Sequence, residues 1–221
     1  VQHYVRQRSF RDRWGGRPVV AVVHARGTIA PGGLLGQFMD ARQLAEILDE
    51  LGRDAGVDAV VLRVDSPGGD VTASDMIWRQ VKRLKKRKPV VVSMGPVAAS
   101  GGYYISCAAD AIVANPGTIT GSIGIFSIGL DIGELYARLG ISREIVKRGE
   151  MADFDNTFRG WTDEEAALVS SLINELYQGF LERVAKGRDM STDQVDAVAR
   201  GRVWTGRQAK ERGLVDELGG L

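Results

Sequence analysis

The stretch Pro89-Val90-Val91-Val92-Ser93-Met94, followed after three residues by Ala98-Ala99-Ser100-Gly101-Gly102-Tyr103-Tyr104, decides how the rest of the chain is read. Its first half is an apolar, β-branched run without polar alternation, the pattern of a strand covered on both faces. Its second half opens a run of small residues, 98–109, that suits a tightly packed helix beginning in the glycine-rich neighbourhood of Ser100. Working outward, residues 18–24 and 57–64 are apolar runs of the same kind and read as two more buried strands. Between them, residues 37–51 carry apolar side chains at helical spacing. Residues 73–84 repeat the pattern between the second and third strands, with Thr72 or Ser74 as cap. This alternation predicts an α/β fold around a mostly parallel sheet.

Downstream, residues 111–114 and 142–146 read as short strands, and the segment 121–128 between them is rich in glycine and β-branched residues. Residues 133–139 look helical. The longest helical pattern, 162–186, opens on Thr162 with Glu165 three residues on, a capping-box arrangement; 193–200 and 206–212 are shorter helices. No repeat, low-complexity tract or shift in composition divides the chain. Residues 18–221 are therefore taken as one domain, preceded by a linker or interdomain segment over residues 1–17.

Charge and composition exclude several classes of function. With 29 Lys+Arg against 28 Asp+Glu, the chain as a whole has no electrostatic reason to bind nucleic acid. The basic run 82–88 closes an amphipathic helix, where cations complement the negative end of the helix dipole. The single cysteine, Cys107, rules out an internal disulfide framework and a Cys-rich zinc site, and its small, apolar neighbours are those of a buried thiol. No stretch approaches the roughly 18–20 uninterrupted apolar residues of a membrane-spanning helix. The chain lacks an initiator Met and ends abruptly at Leu221, which reads as a piece of something longer; a missing anchor then says nothing about the parent.

The chemistry narrows by the same route. Of the two histidines, His24 falls inside an apolar strand, where a packed imidazole is usual, and His3 lies in the N-terminal segment, so a Ser-His-Asp triad is not expected. Neither a metal-ligand spacing nor a phosphate-cradling Gly-Lys-Ser/Thr loop occurs, and no cofactor is implied. What remains is a pair of glycine-rich turns, Asp65-Ser66-Pro67-Gly68-Gly69-Asp70 and the turn at Ser100, each following a predicted strand. Such turns leave backbone N–H groups pointing outward, as an oxyanion hole requires, and a serine at the second turn would sit against it. Either turn alone is an ordinary tight turn; two of them at strand ends point to a site.

Asp65-Ser66-Pro67-Gly68-Gly69, Ala98-Ala99-Ser100-Gly101-Gly102-Tyr103-Tyr104 and Thr120-Gly121-Ser122-Ile123-Gly124 follow one another in the order and spacing of the signal peptide peptidase A (protease IV) family. The chain resembles that family from about Val19 to Leu218, and Gly201-Arg202-Val203-Trp204-Thr205-Gly206 resembles part of its closing segment. The resemblance implies a crotonase/ClpP-type α/β fold with repeated ββα and βα units. It also implies a serine protease in which a desolvated, neutral lysine amine replaces histidine as general base. Residue by residue, it implies that Ser100 is the nucleophile and that Gly68 and Gly69 form the turn donating N–H to the oxyanion. It likewise makes Gly101 the second donor and Ser122 the serine that positions the lysine amine. In relatives with a complete dyad in one domain, the lysine stands three residues after the glycine that is here Gly149. This sequence has Ala152 there, and Lys147 matches a different lysine, at the strand end before that glycine.

Two accounts fit the vacant position. The long family members have two homologous halves, the N-terminal one supplying the lysine and the C-terminal one the serine, and this chain resembles the C-terminal half. Alternatively, Ala152 is a substitution that traps an inactive enzyme, or the chain is a degenerate copy, an assembly or scaffold domain without catalysis. The partners implied are hydrophobic peptides such as signal-peptide remnants, the lysine-bearing N-terminal half, and further copies in a homo-oligomer. The implied parent is anchored in the bacterial cytoplasmic membrane with this domain on the extracytoplasmic side. Crotonase-type acyl-CoA chemistry ranks last, because no carboxylate stands near Ser100 in sequence. Phe126, Leu130, Tyr103 and Tyr104 are candidates for a pocket wall, although core is the commoner fate of such residues; Asp65 and Asp153 are read as structural.

Overall fold

In the computed structural model, which describes residues 18–32, 38–154 and 156–221, the apolar runs become neighbouring parallel strands. Among the described residues the chain passes through β1 (Val20–Arg26), β2 (Thr28–Ala30), β3 (Phe38–Asp40), α1 (Ala41–Arg53), β4 (Ala59–Ser66) and α2 (Val71–Lys85). It continues through β5 (Val90–Ala99), α3 (Gly101–Ser106), β6 (Ala111–Ala114), β7 (Ile119–Gly121) and α4 (Gly133–Arg138). The last elements are α5 (Asp163–Arg188), α6 (Thr192–Val198), β8 (Val203–Thr205), α7 (Gly206–Glu211) and β9 (Glu217–Leu218).

These residues divide into two compact units, one formed by the chain up to Gly124 with Phe180–Leu221, the other by Ile125–Gly179. Every strand belongs to the first unit. Its main sheet runs β1-β4-β5-β6-β9, all parallel, as expected from the βα alternation. Leu62, Val92 and Ile112 from neighbouring strands are buried together with Leu48 of α1 and Ile77 and Val81 of α2, none more than 1 % exposed. β5 is the longest strand. One edge pairs with β4, while the other passes from β6 over Val91–Ser93 to β7 over Val97–Ala99. That hand-over lets one strand carry both the core and the site at its far end.

Local chemistry explains where the elements differ from expectation. β1 borders the sheet and alternates, with Ala21, Val23 and Ala25 buried and Val20, Val22 and His24 exposed. His24 is thus not packed in a strand core: it lies on the exposed face of an alternating strand. The helix expected from residue 37 begins at Ala41: residues 38–40 are extended, and Asp40 is the N-cap, accepting from the N–H of Arg42 and Gln43. Asp70, rather than Thr72 or Ser74, caps α2 by accepting from Ala73 N at 2.7 Å. Ala98 and Ala99 extend β5 instead of opening a helix, and residues 142–146, read as a strand, form none: among the described residues no strand pairs with them. The segment 1–17 lies outside the described residues.

In the second unit the capping box at the start of α5 forms, with Thr162 N donating to Glu165 and Glu165 N to Thr162 Oγ1. Glu165 also receives Arg159 in two bonds of 2.6 and 2.7 Å, and Arg159 reaches Asp153 at 3.1 Å. The Arg159 guanidinium and the Thr162 N–H hold the Glu165 carboxyl down to about 2, against an ordinary 4.5. A carboxylate depressed in the fold contributes stability that is complete above its unfolded pKa and is lost as pH falls through the folded one. Glu165→Gln is therefore expected to lower the thermal midpoint of the second unit at pH 7 and to leave it little changed near pH 2, read by melting across that range.

In the first unit, α5 crosses the end of α3 so closely that a Cβ on Gly187 would lie 1.8 Å from the Cys107 carbonyl oxygen. Gly187→Ala is expected to destabilise by on the order of 3 kcal/mol, measured by urea denaturation, because neither backbone can retreat without opening the core.

Candidate functional site

β5 ends at Ala99, and the next residue leaves the strand by a backbone conformation that side chains rarely adopt: Ser100 has φ 51° and ψ −120°. Holding a non-glycine residue there costs about 1–3 kcal/mol, so the surroundings have to enforce it. They do so at both ends of the residue. Ser100 N donates to Gly121 O at 2.9 Å, and Ser100 O accepts from Tyr104 N at 2.8 Å. The Ser100 side chain makes no cap hydrogen bond to α3, which leaves Oγ available at a partly exposed position.

The turn after β4 lies against it. A Cβ on Gly68 would come within 2.8 Å of Ser100 Cβ and 3.1 Å of Ser100 Oγ, so only a glycine lets this backbone approach the serine. Gly68 has φ 112°, and its N–H donates to the buried Ser66 Oγ at 3.1 Å. Gly69 bridges Ile29 through the neighbouring peptide groups, Ile29 N to Gly68 O and Asp70 N to Ile29 O, so its own N–H takes no part in the bridge. Gly101 is the first residue of α3, and a Cβ there would lie 3.2 Å from Gly69 N and 2.6 Å from Ser74 Oγ. Among the described residues neither Gly69 N–H nor Gly101 N–H donates to another group. Of the three glycines singled out as donors, two therefore carry an unused N–H beside Ser100, and the third is engaged with Ser66.

Ser122 stands in the same corner. Ala99 pairs with Gly121 in parallel register, so Ser100 and Ser122 are the next residues along adjacent strands, and both have positive φ. Ser122 N donates to Arg202 O at 2.7 Å, and a Cβ on Gly121 would strike Trp204 Cδ1 at 2.8 Å. The closing segment of the chain thus braces the strand carrying Ser122. Two buried serines, Ser66, which the sequence shows only as part of its turn, and Ser74, which it offers only as a cap candidate, complete the support: Ser66 takes the Gly68 N–H, and Ser74 Oγ donates to Asp70 O at 2.7 Å. Ser66 ends the strand β4 and Ser74 lies in the first turn of α2, positions that do not by themselves signal this role.

No described lysine of the first unit donates to Ser100 or Ser122; Lys85 bonds Ala109 O, Lys88 bonds Asp54 O, and Lys210 bonds Glu217. Ala152 belongs to the second unit, where it lines a cavity of about 560 Å³ with Arg143, Val146, Asp153 and Phe158. Lys147, in that unit too, is committed to Asp153 Oδ1 at 2.6 Å and Glu150 O at 2.9 Å. Lys147 and Arg159 together hold the Asp153 carboxyl below the usual range. Asp153 is thus part of an ion network, and Asp65 faces Arg26 at 3.6 Å across the ends of β1 and β4. Burial pushes the Cys107 thiol up to about 12, which makes it a poor nucleophile. Tyr103 and Tyr104 are core, while Phe126 and Leu130 are 79 and 61 % exposed. Among the described residues no group of acidic, His or Cys side chains could hold a metal, and no helix is long and apolar enough to cross a membrane.

A family model described as peptidase family S49 matches residues 82–221, and one described as Clp protease matches residues 35–116. The second, with the parallel sheet, identifies the α/β fold as Clp protease-like. The chain is 42 % identical over 212 residues to the chloroplastic serine protease SPPA of Arabidopsis thaliana, covering 94 % of this chain and 31 % of that protein. It is 42 % identical over 201 residues to protease 4 of Haemophilus influenzae, covering 90 % of this chain and 32 % of the relative. With protease 4 of Salmonella typhi it shares 39 % identity over 201 residues, again 90 % of this chain and 32 % of the relative. The chain spans about a third of the length of these relatives.

The split of roles among the glycine amides can be read directly. Hydrogen exchange of Gly68 N–H is expected to be slower than that of Gly69 N–H, and Ser66→Ala is expected to abolish the difference by removing the acceptor; equal rates in the unmutated chain would contradict the geometry.

Proposed function

The chain belongs to peptidase family S49, and on that premise we propose that it carries the nucleophile of a serine endopeptidase whose general base is a lysine. The observation that carries this reading is the Ser100 turn: a side chain held at positive φ with no cap bond to α3, beside two glycine N–H groups that have no acceptor among the described residues. In the reaction, Ser100 Oγ attacks the peptide carbonyl carbon while its proton passes to a neutral lysine amine. The carbonyl oxygen becomes an oxyanion and accepts from Gly69 N–H and Gly101 N–H. Such a donor is worth on the order of 10²–10³ in kcat. Collapse of the adduct expels the amine, which takes the proton back from the lysine, and leaves an ester on Ser100. Water, deprotonated by the same lysine, then hydrolyses the ester. Ser122 orients the amine.

The lysine comes from a homologous domain or another subunit. Support for this is Ala152 at the position of the family's single-domain lysine, and the commitment of Lys147 to Asp153. The substrates are extended hydrophobic peptides such as signal-peptide remnants, and the active form is a homo-oligomer of a membrane-anchored parent. Exposed Phe126, Ile128, Leu130 and Val146 in the second unit support an apolar partner there. A second reading, a scaffold domain without catalysis, is favoured by Ala152 alone.

Hydrolysis of a fluorogenic hydrophobic peptide separates the two. The chain alone and the mixture carrying Ser100→Ala are expected to be silent, and the unmutated mixture with the lysine-bearing half is expected to be active. Silence of that mixture with assembly intact would favour the scaffold reading.

A further inference from the structure

The helix behind Ser100 is a weak mount by its own means. α3 has six residues and opens on Gly101 and Gly102. An isolated helix needs roughly 12–15 residues to be even marginally stable, and each glycine costs about 1 kcal/mol relative to alanine. Yet this turn has to keep Ser100 at φ 51° and the Gly101 N–H beside Gly69. The bond from Ser100 N to Gly121 O fixes the strand side of the turn, but the bond from Tyr104 N to Ser100 O only ties the strained residue to the helix itself, so the helix side needs a further anchor.

Two consecutive tyrosines tie the helix to the rest of the unit. Tyr103 is fully buried, and its hydroxyl donates to Leu214 O at 2.9 Å across 111 positions of sequence. The backbone around Leu214 is itself fixed by Arg188. Its Nε donates to Gly213 O at 3.0 Å, and its two terminal nitrogens donate to the Asp216 carboxylate at 2.9 and 2.6 Å. Asp216 also accepts from Ile112 N at 2.7 Å, which joins the turn to β6.

Tyr104 anchors to α2 and α5. Its hydroxyl donates to Asp75 Oδ1 at 3.0 Å, and the same carboxylate receives Arg183 Nε at 2.8 Å and Arg79 Nε at 2.5 Å. The Tyr104 ring packs on Phe180 with centroids 4.7 Å apart and meets Trp78 edge-on at 6.4 Å, and the Arg183 guanidinium lies over the rings of Trp78 and Tyr104. Burial would raise the Asp75 carboxyl, but the bonds from Arg79, Arg183 and Tyr104 outweigh it and keep the group ionised. The acceptor of the Tyr104 hydroxyl is therefore a charge fixed on two other helices.

We propose that Tyr103 and Tyr104 are positioning residues for the reaction at Ser100: their buried hydroxyl bonds, to the Leu214 carbonyl and the Asp75 carboxylate, clamp the first turn of α3 and hold Ser100 Oγ and the Gly101 N–H in register for attack. The inference rests on the nucleophile assignment above and deepens it. Both tyrosines act through the helix backbone. Removing a hydroxyl keeps the packed ring but frees the turn, and a displacement of about 1 Å in a reacting group can cost up to 10²-fold in rate.

The test uses the active assembly, with reactive serines counted by a fluorophosphonate so that rates are per functional site. Tyr104→Phe and Tyr103→Phe are each expected to lower kcat per titrated site on the order of tenfold, with KM within about twofold. Asp75→Ala, which removes the acceptor from a different helix, is expected to lower kcat in the same direction. A role confined to stability would reduce the number of titratable sites or the melting temperature and leave kcat per site unchanged, and that result in Tyr104→Phe and Asp75→Ala overturns the proposal. If a tyrosine variant does not fold, Asp75→Ala decides alone, since its side chain reaches the surface. Loss of the underlying assignment would look different: the unmutated assembly would not hydrolyse peptide, or hydrolysis would survive Ser100→Ala.

Discussion

The hydrogen bond from Ser100 N to Gly121 O sits where the demands of the fold converge. β5 cannot continue past Ala99 in extended form, because its new partner β7 ends opposite it at Gly121 and the chain must turn into α3. The turn needs a positive φ, and the residue there is a serine rather than a glycine. A conformation that costs about 1–3 kcal/mol persists only where neighbours over-determine it. Here they are Gly68, with no side chain to clash, Gly121, whose missing Cβ admits Trp204, and Gly102, where a Cβ would meet Ser66 O at 2.6 Å. The strain, the glycines and the closing segment are one structural problem with one solution.

This arrangement explains why the site draws on distant parts of the chain. The sheet brings the end of β4 and the end of β5 side by side, which sets Gly69 next to Gly101. The closing residues 202–216 reach the site from behind: Arg202 and Trp204 brace Gly121 and Ser122, and Leu214 receives Tyr103. Loss of that segment would leave the Ser100 turn without two of its supports. Membership of a peptidase family gives these supports a reason, since an attacking oxygen has to be held within fractions of an ångström.

The parts of this that local rules govern were legible in the sequence. Runs of valine with leucine or methionine gave away β4 and the start of β5, and Thr162 with Glu165 announced α5, because each pattern is set by residues next to one another. Paired glycine turns at strand ends marked the site for the same reason. What stayed hidden depends on distant partners. The strand read over residues 89–94 continues to Ala99 because β7 arrives to pair with its far end, with Thr118 Oγ1 donating to Gly95 O. His24 reads as buried until β1 proves to alternate, with the face that carries His24 exposed. Gly68 reads as a donor until Ser66 takes its N–H. Likewise Tyr103 and Tyr104 read as core, which they are, but their hydroxyl partners lie 111 and 29 positions away.

The central claim is that one oxygen, Ser100 Oγ, performs the attack. The most direct measurement is to treat the active assembly with a fluorophosphonate and locate the phosphonyl group by peptide mass spectrometry. A single adduct on Ser100, formed in step with loss of hydrolysis, is the predicted result; loss of hydrolysis with the adduct on another residue would contradict the account.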